Sequence, residues 1–287
     1  MIQSPFAWLG DQLDRAFHQI GSGSDEQYWH EDRRAGALAI RRIGLADLGE
    51  ALTKGLADFA ANRTDVIFLC VINPLVGLVL GRLASGYDVV PLLFPLASGF
   101  ALVGPFAAVG LNEMSRRREL GMEVSWVDAF GVVRSPSIGP IIGLGLLLIV
   151  IFLLWLVTAE AIYVVTLGPR APASIPAFIH DVFTTARGWT MIVLGIGVGF
   201  LFAVVTLSIS VVSFPLLLDR NVGMGAAIWT SIQAMVENPI PMAAWGLIVA
   251  GGLVIGSVPA LLGLVIVMPV LGHTTWHLYR CVVAPPE

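Results

Sequence analysis

The chain has 287 residues, of which 56% are apolar and only 13% charged. A soluble domain carries about 25% charged residues, so an ordinary globular fold is excluded, and a formal net charge of −4 offers no electrostatic footprint for nucleic acid. The sequence holds no P-loop, no dinucleotide fingerprint and no H-E-x-x-H, and Cys70 and Cys281 are too far apart in sequence to suggest a metal site or a disulfide framework.

Residues 1–40 read as an N-terminal arm. Phe6, Leu9, Leu13 and Phe17 share one helical stripe, and the polar stretch "GSGSDEQYWHEDRR" (21–34) reads as a linker. No signal peptide is expected ahead of the first apolar run. From there the charges are segregated. Val66–Gly81, Val89–Asn112, Gly188–Leu218 and Asn238–Gly272 carry none, and Glu160 is alone between Ser135 and Pro169. A spanning helix needs about 20 apolar residues. The run 238–272 would be about 52 Å long as one helix, so Gly256-Ser257-Val258-Pro259 is read as a break. The expectation is an all-α, polytopic membrane bundle of six transmembrane helices, near 65–84, 88–111, 137–165, 188–217, 240–256 and 258–277. The runs are continuous, which excludes the alternation of a β-barrel.

An internal repeat supports this count. "ALTKGLADFAANR" (51–63), "VSWVDAFGVVRSP" (124–136) and "AIWTSIQAMVENP" (227–239) align in character, pairing Asn62 with Asn238, Trp126 with Trp229 and Pro136 with Pro239. Each is helical in period. Leu45, Leu48, Leu52, Leu56 and Phe59 form one stripe, with Asp47, Glu50, Lys54 and Asp58 opposite. Met122, Trp126, Phe130 and Val133 form a second, and Met224, Ile228, Ile232 and Met235 a third. Each precedes a pair of spans whose second member carries a proline near its exit: Pro105, Pro215 and Pro269. Residues 41–283 thus read as a membrane domain of three hairpins, each preceded by an amphipathic interfacial helix. These helices either lie in the interface plane as anchors or pack into a small platform for a partner. The outer loop 168–183 is expected to hold a short helix at Pro176–Phe183.

Orientation follows from the basic residues. With the N-terminus inside, 13 of the 16 Lys and Arg fall on the inner side. The expectation is a bacterial inner-membrane protein with both termini and all three amphipathic helices on the cytoplasmic face.

Polar residues in or beside the spans are the candidate functional groups. Glu160, late in the third span, is a carboxylate where carboxylates are costly; its alternative reading is a snorkelling interfacial residue. Asn112 and Glu113 follow Pro105, Asp219 and Arg220 follow Pro215, and His273 and His277 follow Pro269. Packed around a common axis, these groups would converge on one side; singly, each is the first polar residue after a span. His273 and His277, four apart, share a helix face. Beside Trp276, Tyr279 and Arg280 they read as the wet end of a helix, short of the ligands a metal or haem needs. Asn73-Pro74, Phe94-Pro95 and Gly104-Pro105 interrupt the first two spans, as in transporter binding sites or packing kinks. No catalytic residue, cofactor or metal is expected, since no nucleophile–base pair is identifiable.

The stretches "GPFAAVGLNEMSRRRELG" (104–121), "SFPLLLDRNVGMGAAIWTS" (213–231) and "PVLGHTTWHLYR" (269–280) resemble a family of uncharacterised bacterial integral membrane proteins, a domain of unknown function, over about residues 40–283. Some members are labelled as a cytochrome c oxidase subunit. The family has no established activity, so the resemblance brings no catalytic residues. The label implies a respiratory complex as partner, but a catalytic haem–copper subunit needs several intramembrane histidines and this sequence has none in mid-membrane. The resulting expectation is a non-enzymatic accessory, assembly or scaffolding factor for a membrane complex, partnered by the bilayer. The alternative is a small-solute or ion transporter using Glu160 and the proline-broken helices.

Overall fold

The computed structural model describes residues 38–61, 91, 93–170, 172–258 and 262–284. Residues 1–37 of the N-terminal arm, the first predicted span, Asn73-Pro74 and Cys70 lie outside them. The elements are α1 (Leu45–Ala61), α2 (Leu93–Ala107), α3 (Val109–Glu119), a 3₁₀ helix (Trp126–Arg134), α4 (Ile138–Thr166), α5 (Ile175–Thr184), α6 (Ala186–Ser210), α7 (Ser213–Asp219), α8 (Met224–Glu237), α9 (Pro239–Ser257) and α10 (Leu264–Val282). The fold of the described residues is all-helical, with one isolated antiparallel bridge between Ile40 and Val283.

Three helices among the described residues are long and apolar enough to cross a membrane: Ile138–Thr166, Ala186–Asp219 (α6 running into α7) and Pro239–Ser257. They match the third, fourth and fifth predicted spans. The other two predicted spans that fall on described residues are not among these three. Of 88–111, residues 88–90 and 92 lie outside the described residues; Leu93–Ala107 form α2, with Pro105 inside it, and past Ala108 the chain runs on into the polar α3. In place of 258–277 stands α10, which starts at Leu264 and ends at Val282, so its second half is polar. The expected break between α9 and α10 is present, and Gly256 and Gly263 face each other across it: a Cβ on Gly263 would lie 2.8 Å from the Gly256 Cα. The short outer helix is α5, begun by Ser174, whose hydroxyl accepts from the Ala177 N–H at 3.2 Å. Between α6 and α7 the helix is interrupted at Val211-Val212, where Pro215 cannot donate to the Val211 carbonyl; instead the Val212 N–H donates to the Ser231 hydroxyl at 3.2 Å.

The repeated segments bury the stripes read from the sequence only in part: Leu48 is buried, and Leu52, Phe59, Met224, Ile228, Ile232 and Met235 are half-buried. On α1, Leu45 and Leu56 are exposed while Leu48, Ala51, Gly55 and Asp58 are buried. On α8, Trp229 is exposed while Ala227, Ser231 and Ala234 are buried. Ala51, Gly55 and Asp58 occupy the positions that align with Ala227, Ser231 and Ala234, so the repeat shares a stripe of mostly small buried residues. The second segment is a 3₁₀ helix rather than an α-helix. Met122, Trp126, Phe130 and Val133 are all exposed, and Val132 is its one buried residue. The reason is helical geometry: a small-residue face lets backbones approach closely, and the large apolar side chains are left for the surroundings.

The close approaches trace a ring. Gly110, five residues after Pro105, lies against Ala129 of the 3₁₀ helix, where an added Cβ would meet the Ala129 Cβ at 3.0 Å. Ser213, next to Pro215, donates to the Ala227 carbonyl of α8 at 3.0 Å. Thr274, five residues after Pro269, packs on Gly55 of α1 so tightly that a Cβ there would lie 2.2 Å from its hydroxyl. Each short helix therefore seats on the exit segment of the unit before it, and the first seats on the last. The ring is zipped shut by the Ile40–Val283 bridge, by the Arg41 N–H donating to the Val282 carbonyl at 2.7 Å, and by Asn238. The Asn238 side chain accepts from the Ile43 N–H at 2.7 Å and donates to the Arg41 carbonyl at 3.1 Å.

Candidate functional site

At the centre of this ring the exit segments α3, α7 and the end of α10 pack together, and the polar residues that follow the three prolines meet. The reading of His273 and His277 as a solvated helix end is corrected here. His273 is 1% exposed, as are Trp276 and Tyr279, because α1 and α3 cover them. Asn112 and Glu113 are buried too.

The innermost chain of contacts joins three elements. Asp58 comes from the last turn of α1, Ser115 from α3, and His273 and His277 from one face of α10. The Ser115 hydroxyl donates to Asp58 Oδ2 at 2.6 Å, and His277 Nε2 lies 2.8 Å from the same oxygen. His273 Nδ1 lies 2.8 Å from the Ser115 Oγ. A serine hydroxyl has one proton. With that proton on Asp58, His273 must donate from Nδ1, and its Nε2 is left as a bare acceptor, buried and without a hydrogen-bond partner among the described residues. Arg118 closes the far side of Asp58, with Nε 3.3 Å from Oδ1. Burial alone would raise the Asp58 carboxyl, but hydrogen bonds from His277 and Ser115 outweigh it and hold the group below the ordinary carboxylate range.

Around this chain the charges are matched internally. Buried Glu113 accepts from Arg116 at 2.7 Å and from Arg117 at 2.9 Å, and Arg117 also reaches Asp128 of the 3₁₀ helix at 2.5 Å. The run Arg116-Arg117-Arg118 is thereby a rivet from α3 to its neighbours, not an open basic patch. Glu119 accepts from the Trp276 indole at 2.7 Å and from Arg280 at 3.0 Å. Asp219 of α7 accepts from the Tyr279 hydroxyl at 2.6 Å; burial, with that bond, pushes the phenol upward and keeps it a donor. Arg220 holds the Ala284 carbonyl. Buried polar groups of this kind are costly when unpaired and specify one arrangement when satisfied.

Six of the seven sequence-picked residues therefore lie in or beside one cluster. Glu160 does not. It is half-buried on α4, one turn before Tyr163, whose hydroxyl donates to the Arg170 carbonyl at 2.6 Å. Sequence reasoning missed Asp58, Ser115, Glu119 and Tyr279. Asp58 read as one of a polar face; only the contact of Gly55 with Thr274 shows that this face turns inward at its end. No group of three or more His, Cys, Asp or Glu among the described residues is arranged to hold a metal ion. Beside the cluster, Asp58, Ser115 and His277 open onto a cavity of ≈550 Å³ between residues 41–43, α1 and the ends of α3 and α10.

Residues 93–219, from α2 to the end of α7, match a family model described as "Predicted integral membrane protein (DUF2189)". The chain is an integral membrane protein. The matched stretch contains all of "GPFAAVGLNEMSRRRELG" and stops within the second of the three resembling stretches; it is similar to an uncharacterised family and brings no known activity. No curated protein and no solved structure matches the chain.

Proposed function

We propose that this membrane protein is a non-enzymatic accessory, assembly or scaffolding factor for a membrane complex, with the ring of short helices as its platform on the cytoplasmic side of the bacterial inner membrane. The observation that supports this reading is the apolar rim of the ring. Its centre is a packed core of Phe214, Leu216, Leu217, Trp276 and Leu278 with most of its charges paired, while Trp126, Phe130, Val133 and Trp229 stand exposed at its rim. Most polar side chains that could serve chemistry are engaged in holding helices together, and the large apolar groups of the rim face outward, where lipid and a partner subunit would meet them.

The test is photo-crosslinking in native membranes from a benzophenone amino acid at Trp126 or Phe130, with one at Glu160 for comparison. A single, stoichiometric protein adduct from the rim positions supports the scaffold. Adducts to lipid alone, with solute uptake that Glu160→Gln abolishes, would replace it by the transporter. Reporter fusions after Arg118, Asn221 and the C-terminus should read inside, and those after Tyr87, Ala173 and Gly256 outside; an outside C-terminus would overturn the orientation.

A further inference from the structure

The cavity beside Asp58 has a definite imbalance of hydrogen-bonding capacity. Each carboxylate on its wall is already engaged: Glu50 with Lys54 at 2.7 Å, Asp58 with His277 and Arg118, Glu119 with Arg280, and Asp47 with the Gly44 N–H at 2.7 Å. Two of the cations are not. Arg41 and Arg42 line the same cavity, and neither guanidinium has an ion pair or hydrogen bond among the described residues. Their backbone is nevertheless fixed, because it is the strand-like segment that Asn238 and the Val282 carbonyl hold in place. The cavity is thus walled in part by two arginines whose backbone is held and whose side chains pair with none of its carboxylates.

A guanidinium fork matches carboxylate and phosphate alike. Two arginines side by side offer more donors than the two oxygens of a carboxylate can use, and a tetrahedral phosphate dianion suits them better. At ≈550 Å³ the space exceeds a phosphate alone and lies in the range of small-molecule sites, about 300–1,000 Å³. Apart from Ile43 and Cys281, the rest of the wall, including Asp47 and Glu50, is polar and suits hydroxyl groups. We propose that this cavity binds a phosphate ester with a small hydroxylated body, of the glycerophosphate class, through Arg41 and Arg42. The residues of α1 that line it, Asp47, Glu50, Lys54 and Asp58, lie opposite the stripe of Leu45, Leu52, Leu56 and Phe59 on the helical wheel. The mouth therefore faces away from the apolar side of α1. A soluble phosphate ester and the headgroup of an anionic phospholipid share this chemistry. The proposal stands apart from the scaffolding role.

The test uses the full chain in phosphatidylcholine nanodiscs, titrated with glycerol 3-phosphate at constant ionic strength and followed by thermal unfolding and by ³¹P line broadening. Saturable binding, weakened at least tenfold in Arg41→Gln/Arg42→Gln with the unliganded unfolding temperature unchanged, is expected. Should the double variant fail to fold, Arg42→Gln alone, an exposed side chain, is expected to weaken binding at least threefold. If glycerol 3-phosphate is inert but phosphatidylglycerol in the disc stabilises wild type and not the variant, the ligand is the lipid headgroup and the site stands. Equal responses of wild type and variant to both probes, no response to either, or the same response to chloride would overturn it.

Discussion

The two ends of the same helices obey different rules. At the ring, Leu216, Leu217, Thr274 and Leu278 are fully buried, and Glu113, Asp58 and Asp219 are each tied to two or more partners. Toward the other end, α6 leaves Val193, Ile196, Phe200 and Leu201 exposed, and only 6% of the apolar window of the α6–α7 span is buried within the protein. The difference teaches where each part gets its stability. The ring is held by its own packing and hydrogen bonds, whereas the apolar stretch of α6 depends mainly on the bilayer, which offers helices little drive to pack on one another.

Perturbing the ring should therefore be far more damaging than perturbing the spans, and the largest effect is expected at Asp58. Asp58→Ala takes from the Ser115 hydroxyl and His277 their shared acceptor, and from the exposed Arg118 its ion pair, and should cost about 3 kcal/mol, read as a fall in detergent unfolding temperature. Asp58→Asn, which keeps the shape, should cost less, about 1–3 kcal/mol. Gly55→Val comes next: its Cβ has no room beside Thr274, and overpacking of this kind costs about 1–3 kcal/mol. An unchanged unfolding temperature there would show that α1 does not seat on α10.

A pH series sharpens the same contrast. The Asp58 carboxyl is held lower in the fold than in the unfolded chain. The stabilisation it contributes is complete above its unfolded value, about pH 3.9, and is lost as pH falls through the lower folded value. Wild type should lose stability on acidification below about pH 4 more steeply than Asp58→Asn; parallel curves would refute the link. At the small end, Phe200→Ala, on the exposed face of α6, should shift the unfolding temperature within about 0.5 kcal/mol, and a large loss would mean that this face packs on protein.

The third, fourth and fifth spans were legible because a long, almost uncharged apolar run satisfies its backbone in a bilayer by forming a helix. The third, fourth and fifth spans and the short outer helix lie within a few residues of where the sequence placed them. What was not legible is informative. The apolar stripe of each short helix was read as a bilayer anchor or as part of a platform, and neither reading marks the face that packs. Here the surroundings are themselves apolar, so Leu45, Leu56 and Trp126 face outward and the packing face is Ala51, Gly55 and Asp58, which no hydrophobicity pattern marks. The convergence of Asn112, Asp219 and His273 depended on how three units pack around an axis, which sequence spacing can suggest but not fix. Ser115 and Asp58, 57 residues apart, carry no local signal that they meet.

The closure of the ring also sets an order of events during synthesis. α1 precedes the other described helices, and Ser115 reaches Asp58 from only 57 positions on, but His277 lies 219 positions later. At about 5–20 residues per second, that interval is on the order of ten to forty seconds. Throughout it the contact of Gly55 with Thr274 cannot form. α10 is made long after the helix that it covers, so α1 waits on it to complete its packing.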